Sequence, residues 1–226
     1  MIMDSCPWNG FEQATISFCE QRLCSWVVEP ANTWSNIGFV LVGLFILWKE
    51  FRSQRPDLMM VGITAVIVGI NSSLFHATGA RWGEIVDVSA MYFISSLFIV
   101  LCVKRIWNLS STNMISWYVT LAACTSAAMV LLGSNGIILF GLHITAAVLL
   151  EGYFYRTSTH TAKFVNLAFM ALCFGISFTS WKLDISKVIC DPNNHVFGGH
   201  ALWHFGNALC LWFYYRYQTQ FKKGLT

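Results

Sequence analysis

Two histidines stand four residues apart in Gly198-Gly199-His200-Ala201-Leu202-Trp203-His204, at the head of a mostly apolar run that reaches Tyr215. On a helix this spacing stacks both imidazoles on one face, where two nitrogens can meet one metal ion. Taken alone, the spacing fits equally well two histidines at a membrane interface or bonded to neighbouring helices. A second pair, Ser72 and His76, is also four apart, and Asp87 lies in the following apolar run. Should the three histidines meet, they would have the composition of a catalytic zinc site with an open fourth position. Zinc in such a site brings the pKa of water to about 7. Asp87 would then accept a proton and return it to a leaving group. Ser72, one turn before His76, would donate a hydrogen bond to a developing oxyanion.

Whether these residues meet depends on the elements that carry them. The 226 residues are 56% hydrophobic and 11% charged, with mean hydropathy +0.56; soluble domains carry roughly 25% charged residues. The chain therefore reads as an all-α, multi-pass membrane protein. Stretches long enough to cross a bilayer fall at about 33–50, 58–75, 84–103, 113–132, 135–152, 163–181 and 197–217. Seven spans give an N-terminal arm (1–32), a seven-helix domain (33–217) and a short tail (218–226). The arm has no cationic start followed by an apolar run, so a cleaved signal peptide is not expected.

Basic residues orient the bundle. Lys49, Arg52, Arg55, Lys104, Arg105, Arg156, Lys163, Arg216, Lys222 and Lys223 fall on the side of the C-terminus, against Arg22, Arg81, Lys182 and Lys187 on the other. The N-terminus is thus expected outside and the C-terminus in the cytoplasm. The net charge of +3 follows from this asymmetry and calls for no nucleic-acid partner. In this topology span 2 ends outside while spans 3 and 7 begin there. His76, Asp87, His200, His204 and Ser72 then share one depth, which favours the metal reading. A hydrolytic site reached from the bilayer implies a lipid substrate.

Other residues carry weaker signals. Asn32 suits the N-cap of the first span. Glu20 and Glu29 read as solvated acids or as ligands of a cation at the outer face. His143 reads as a hydrogen-bonded core histidine, and Glu151 and His160 fall at or beyond an inner helix end. Cys102, Cys124, Cys173 and Cys210 lie in spans as small apolar fillers. Cys6, Cys19, Cys24 and Cys190 lie on the outer side, where disulfides persist, with three pairings open. A retinal protein would need a lysine in 197–217, where none occurs. Haem ligation would not need Ser72 and Asp87. A lipid-sensing receptor or a phospholipase-type esterase on the same zinc scaffold is the alternative to an amidase.

The sequence resembles the alkaline ceramidases, within a larger group of seven-span hydrolases that includes the adiponectin and progestin receptors. The resemblance rests on Cys19-Glu20, Glu29-Pro30-Ala31-Asn32-Thr33-Trp34-Ser35-Asn36, Ser72 with His76, and Asp87. It continues through Trp181, Leu183, Asp184 and Cys190 to His200-Ala201-Leu202-Trp203-His204, over nearly the whole chain. It implies zinc on His76, His200 and His204, Asp87 as acid/base, and Ser72 at the zinc-bound water. It further implies a Cys19–Cys190 disulfide and hydrolysis of the ceramide amide to sphingosine and fatty acid, with no obligate protein partner. The animal enzymes are similar to a pattern Asp-Trp-x-Glu-x-Asn whose members, with a later Glu, bind calcium. Here the matching stretch is Ser17-Phe18-Cys19-Glu20-Gln21-Arg22, followed by Glu29. An acid and an amide are missing from the set that Ca2+ would need, and Arg22 is expected to bridge Glu20 and Glu29 instead. The short chain and the arm sequence point to a bacterial member in the inner membrane; a eukaryotic one would sit in the ER or Golgi. The substrate would be ceramide or a related N-acyl lipid.

Overall fold

The computed structural model describes residues 6–132, 136–158 and 162–221, and these form eight helices with no strand. His160 and the tail from residue 222 on, with Lys222 and Lys223, lie outside the described residues, as does residue 135 at the start of the fifth expected span. The helices are α1 (Pro30–Ser35), α2 (Ile37–Glu50), α3 (Pro56–Thr78), α4 (Arg81–Trp107), α5 (Ser111–Leu132), α6 (Gly136–Thr157), α7 (Val165–Ile185) and α8 (Gly199–Gln218).

Six helical stretches among the described residues are long and apolar enough to cross a membrane, α1 and α2 counting together as Pro30–Glu50. α8 is 20 residues long but carries two histidines, three tyrosines and Arg216, which lower its hydropathy. Many large side chains on α5, α6 and α7, such as Leu131, Leu142, Leu149, Leu172 and Ile176, are exposed. Outward apolar faces of this kind suit hydrocarbon as the solvent.

Local chemistry sets the helix ends. α1 begins two residues before the expected cap: Glu29 is the N-cap and Pro30 the first helical residue, where a missing N–H costs nothing. Asn32 is therefore inside the first turn, and it is buried. α3 ends at Gly79, whose φ of 61° is the left-handed conformation that glycine adopts without strain. Its N–H closes on the Phe75 carbonyl at 2.8 Å, and its own carbonyl accepts the Ala14 N–H at 3.0 Å.

α3 and α4 lie at the centre of the bundle. α2 packs on α3, α6 on α4, and α7 chiefly on α8. The α2–α3 crossing is close because two glycines face each other. A Cβ on Gly43 would lie 2.6 Å from the Gly62 carbonyl oxygen, and one on Gly62 would lie 2.9 Å from that of Gly43. Small residues let helix backbones approach this way where lipid supplies no hydrophobic drive. The arm folds over the end of the bundle where α3 finishes and α8 begins. It is held by Cys6–Cys24 and Cys19–Cys190, by the Val28 N–H to the Ala77 carbonyl, and by the Glu29 N–H to the His76 carbonyl, both at 3.0 Å.

Candidate metal centre

α3 presents His76 in its last turn, and α8 presents His200 and His204 in its first two turns. All three are buried, and one ring nitrogen from each falls within 4.8 Å of the others. The closest pair, His76 Nε2 and His200 Nε2, is 3.1 Å apart. Two imidazole nitrogens bound to one tetrahedral zinc at 2.0–2.1 Å stand roughly 3.3 Å apart, close to the spacing of this one pair.

The outer nitrogens of two rings are fixed. His76 Nδ1 lies 2.7 Å from Glu29 Oε2, a carboxylate that can only accept. The proton therefore sits on Nδ1, and Nε2 keeps its lone pair. His204 Nδ1 lies 2.7 Å from Ser35 Oγ, while the Ser35 hydroxyl donates to the Asn32 carbonyl at 3.0 Å. Ser35 thus accepts from Nδ1–H and leaves His204 Nε2 free toward the cluster. This is the outer support that metal-binding histidines use to set tautomer and orientation. His200 is held differently: its ring stacks on Phe18 at 3.8 Å between centroids, and its buried Nδ1 has no hydrogen-bond partner.

The backbone around His200 is fixed by Asp184 at the end of α7. Its Oδ2 accepts the His200 N–H at 3.0 Å, and its Oδ1 accepts the Cys19 N–H at 2.9 Å. One carboxylate thus satisfies an orphan donor at the start of α8 and ties it to the arm beside the Cys19–Cys190 disulfide.

The other two expected site residues lie against the cluster. Ser72 Oγ is 3.4 Å from His204 Nε2. It is the adjacent Ser73, not Ser72, that donates to the carbonyl four residues back, Gly69, at 2.7 Å. Asp87, from the second turn of α4, is partly buried against the Ser72 hydroxyl. His143 lies elsewhere, between Ser95 at 3.0 Å and Thr125 at 3.2 Å.

The expected second cation site is organised without a cation. Glu20 accepts the Ala31 N–H at 2.8 Å and the Asn32 N–H at 3.0 Å, and His195 Nδ1 lies 3.0 Å from it. It therefore caps α1 from a distance, as an anion suits a helix N-terminus. Glu29 receives Arg22 Nε at 3.3 Å on one oxygen, and Asn32 Nδ2 at 3.1 Å together with His76 on the other. All four carboxylate oxygens face N–H groups, so this set does not fit calcium, which needs six to eight oxygen ligands. The expected Arg22 bridge is corrected in one arm. Arg22 reaches Glu29, but its other contacts are the Ile16 carbonyl at 2.9 Å and Gln13 at 3.4 Å, because the helix amides already hold Glu20. Burial pushes the Glu29 carboxyl up. The hydrogen bond from His76, with those from Asn32 and Arg22, outweighs that and holds it below its ordinary range.

Ser35, Phe18, Asn32 and Asp184 acquire roles at the site that their residue types alone did not announce. Asn32, Ser35 and Asp184 stand among the residues that carry the family resemblance, and Asn32, Ser35 and Asn36 are three or four apart and so on one helix face.

A family model described as Ceramidase matches residues 10–224. The chain is 24% identical over 256 residues to the Dictyostelium discoideum protein dcd3B, of alkaline ceramidase type, covering 92% of this chain and 86% of that one. It is 22% identical over 210 residues to human alkaline ceramidase 1, covering 86% and 78%. It is 26% identical over 204 residues to an Arabidopsis thaliana alkaline ceramidase, covering 84% and 77%.

Proposed function

Because the chain belongs to the ceramidase family, hydrolases of amide bonds, we propose that it is a zinc-dependent lipid amidase working inside the membrane. It cleaves the N-acyl amide of ceramide, or of a related N-acyl lipid, to the free amine and a fatty acid. The observation that carries this reading is the convergence of His76, His200 and His204, with the His76 and His204 tautomers set by Glu29 and Ser35.

His76, His200 and His204 hold the ion through nitrogens facing the cluster. Zinc, when bound, supplies a Lewis acid that makes water nucleophilic near neutral pH. Asp87 takes a proton from the attacking water and hands it to the amide nitrogen as the C–N bond breaks, leaving a neutral amine and a carboxylic acid. Ser72 donates a hydrogen bond to the acyl oxygen as it gains charge. The apolar bundle keeps bulk water from screening these contacts.

The bundle has seven spans in this reading. α8, about 30 Å long, suffices to cross the hydrocarbon core, and its polar residues His200, His204, Tyr214, Tyr215 and Tyr217 are buried inward. The arm, residues 1–32, lies outside and the C-terminal tail in the cytoplasm, as the basic residues require. Both disulfides are in the arm or tie it to the loop before α8, which agrees with an oxidising outer side.

The test is zinc content and hydrolysis on the same purified sample, with ceramides and phospholipids offered in parallel. Fatty acid released from ceramide, and lost on chelation and in His204→Ala, is the expected outcome. Stoichiometric zinc without release from any lipid would refute the enzyme reading and favour a receptor; release from phospholipid alone would make the protein an esterase.

A further inference from the structure

The end of the bundle opposite the histidines carries a cavity of about 450 Å³ between the α2–α3 turn and the end of α8. From Leu58 to His76 the distance along α3 is roughly 27 Å at 1.5 Å per residue, so this cavity is remote from the metal cluster. Lys49, Arg55 and Arg216 line it, with Ser53, Thr219, Tyr215, Leu58 and Glu50. We propose that it is a binding site for a phosphate group of the kind carried by an anionic phospholipid headgroup.

Three elements bring cations to one cavity; among the described residues Lys49 and Arg216 are free of any carboxylate, while Arg55 is already paired with Asp57. Lys49 comes from the last turn of α2, Arg55 from the residue before α3, and Arg216 from the last turn of α8. Lys49 and Arg216 are exposed, and their contacts are aromatic: Lys49 Nζ is 5.8 Å from the Tyr215 ring, and the Arg216 guanidinium is 5.9 Å from the Trp212 ring. Neither has a carboxylate partner among the described residues. Cations at the ends of α2 and α8 also complement the negative ends of those helices. Helix ends alone do not explain Arg55, which sits at the positive end of α3, where no side-chain cap is made.

The acids nearby are taken up. Asp57 is turned onto Arg55 at 2.6 Å and toward Lys104 at 3.9 Å, and it does not line the cavity. Glu50 does line it, but it is buried and accepts the Tyr215 hydroxyl at 2.5 Å. Trp48 and Phe51 beside it are 76% and 77% exposed, as aromatic residues are at the level of lipid headgroups. Basic pockets between helix ends at this level recognise phosphate-bearing headgroups.

The experiment compares thermal unfolding of the detergent-purified protein with phosphatidylglycerol, phosphatidylcholine or inorganic phosphate added. A lipid at a hundredfold its dissociation constant should raise the midpoint by about 5–10 °C for a chain of this size. The site is supported if phosphatidylglycerol gives this rise, phosphatidylcholine does not, and Lys49→Gln with Arg216→Gln abolishes it. An equal rise with inorganic phosphate would identify free phosphate as the source of the same chemistry. An equal rise with phosphatidylcholine, or a phosphatidylglycerol effect that survives in the double variant, would overturn the proposal. Both substituted side chains are exposed, so unchanged helicity and zinc content check that the variant folds.

Discussion

Glu29 Oε2 and His76 Nδ1 stand 2.7 Å apart, both buried, and join the arm to the end of α3 through one hydrogen bond. The same carboxylate holds Asn32 and Arg22. A residue that reads in sequence as a solvated acid or a cation ligand thereby holds the Nδ1 proton of a histidine in the cluster.

Glu29→Gln should weaken metal binding about 10- to 100-fold, the usual cost of losing an outer partner of a ligating histidine. The measurement is competition for zinc against a chelator of known affinity. An unchanged dissociation constant would mean that Glu29 serves the arm alone. Ser35→Ala, which removes the corresponding partner of His204, should weaken binding in the same direction.

Asp87→Asn should leave zinc content and unfolding temperature near those of the parent while lowering turnover about 10²- to 10⁴-fold, the range for losing a general acid/base. Asn retains the size of the side chain but cannot take the proton. Turnover within a few-fold of the parent would remove Asp87 from the proton path.

Legibility in the sequence follows burial cost. His76, Asp87, His200 and His204 stood out because an ionisable side chain in an apolar span needs a partner or a task. All of them lie at one end of the bundle, and the expected spans differ from the helices by only a few residues at each end. Ser35, Asn32 and Phe18 gave no such signal, since polar and aromatic residues at a span's end are ordinary. Asn32 suits an N-cap by residue type but sits inside the first turn, because Pro30 opens the helix and Glu20 caps it from ten residues upstream. Ring tautomers depend on contacts between residues as distant as Ser35 and His204, which no local pattern encodes. α8 reads as a span by its apolar run, although its histidines, tyrosines and Arg216 lower its hydropathy.

Calcium added or removed with a calcium-selective chelator should leave the unfolding temperature unchanged, because N–H donors fill the Glu20 and Glu29 oxygens. Arg22→Ala should lower it measurably, as it leaves Glu29 buried with one fewer donor; hydrogen bonds to charged groups contribute about 1.5–3 kcal/mol, less here since Arg22 is partly solvated. Differential scanning with and without calcium separates the two. Stabilisation by calcium in the parent would show that a cation competes with Arg22.

Gly43→Leu should destabilise the bundle, since even a single Cβ there would press on the Gly62 carbonyl at 2.6 Å. Overpacking of this kind costs about 1–3 kcal/mol or more, and the larger side chain forces α2 from α3. Thermal unfolding in detergent reads the loss. A change below a degree would mean that the two helices part easily.

The cluster is assembled from both ends of the chain: Phe18, Glu29 and Ser35 from the beginning, and Asp184, His200 and His204 from the last third. During synthesis His76 and its partner Glu29, 47 residues before it, are made long before the other two histidines of the cluster. The three histidines come together only once the final helix is in place and the arm lies over it. Under the proposed zinc reading, loading would be completed only after α8 is in place, and a chain truncated before α8 would lack two of the three nitrogens of the cluster.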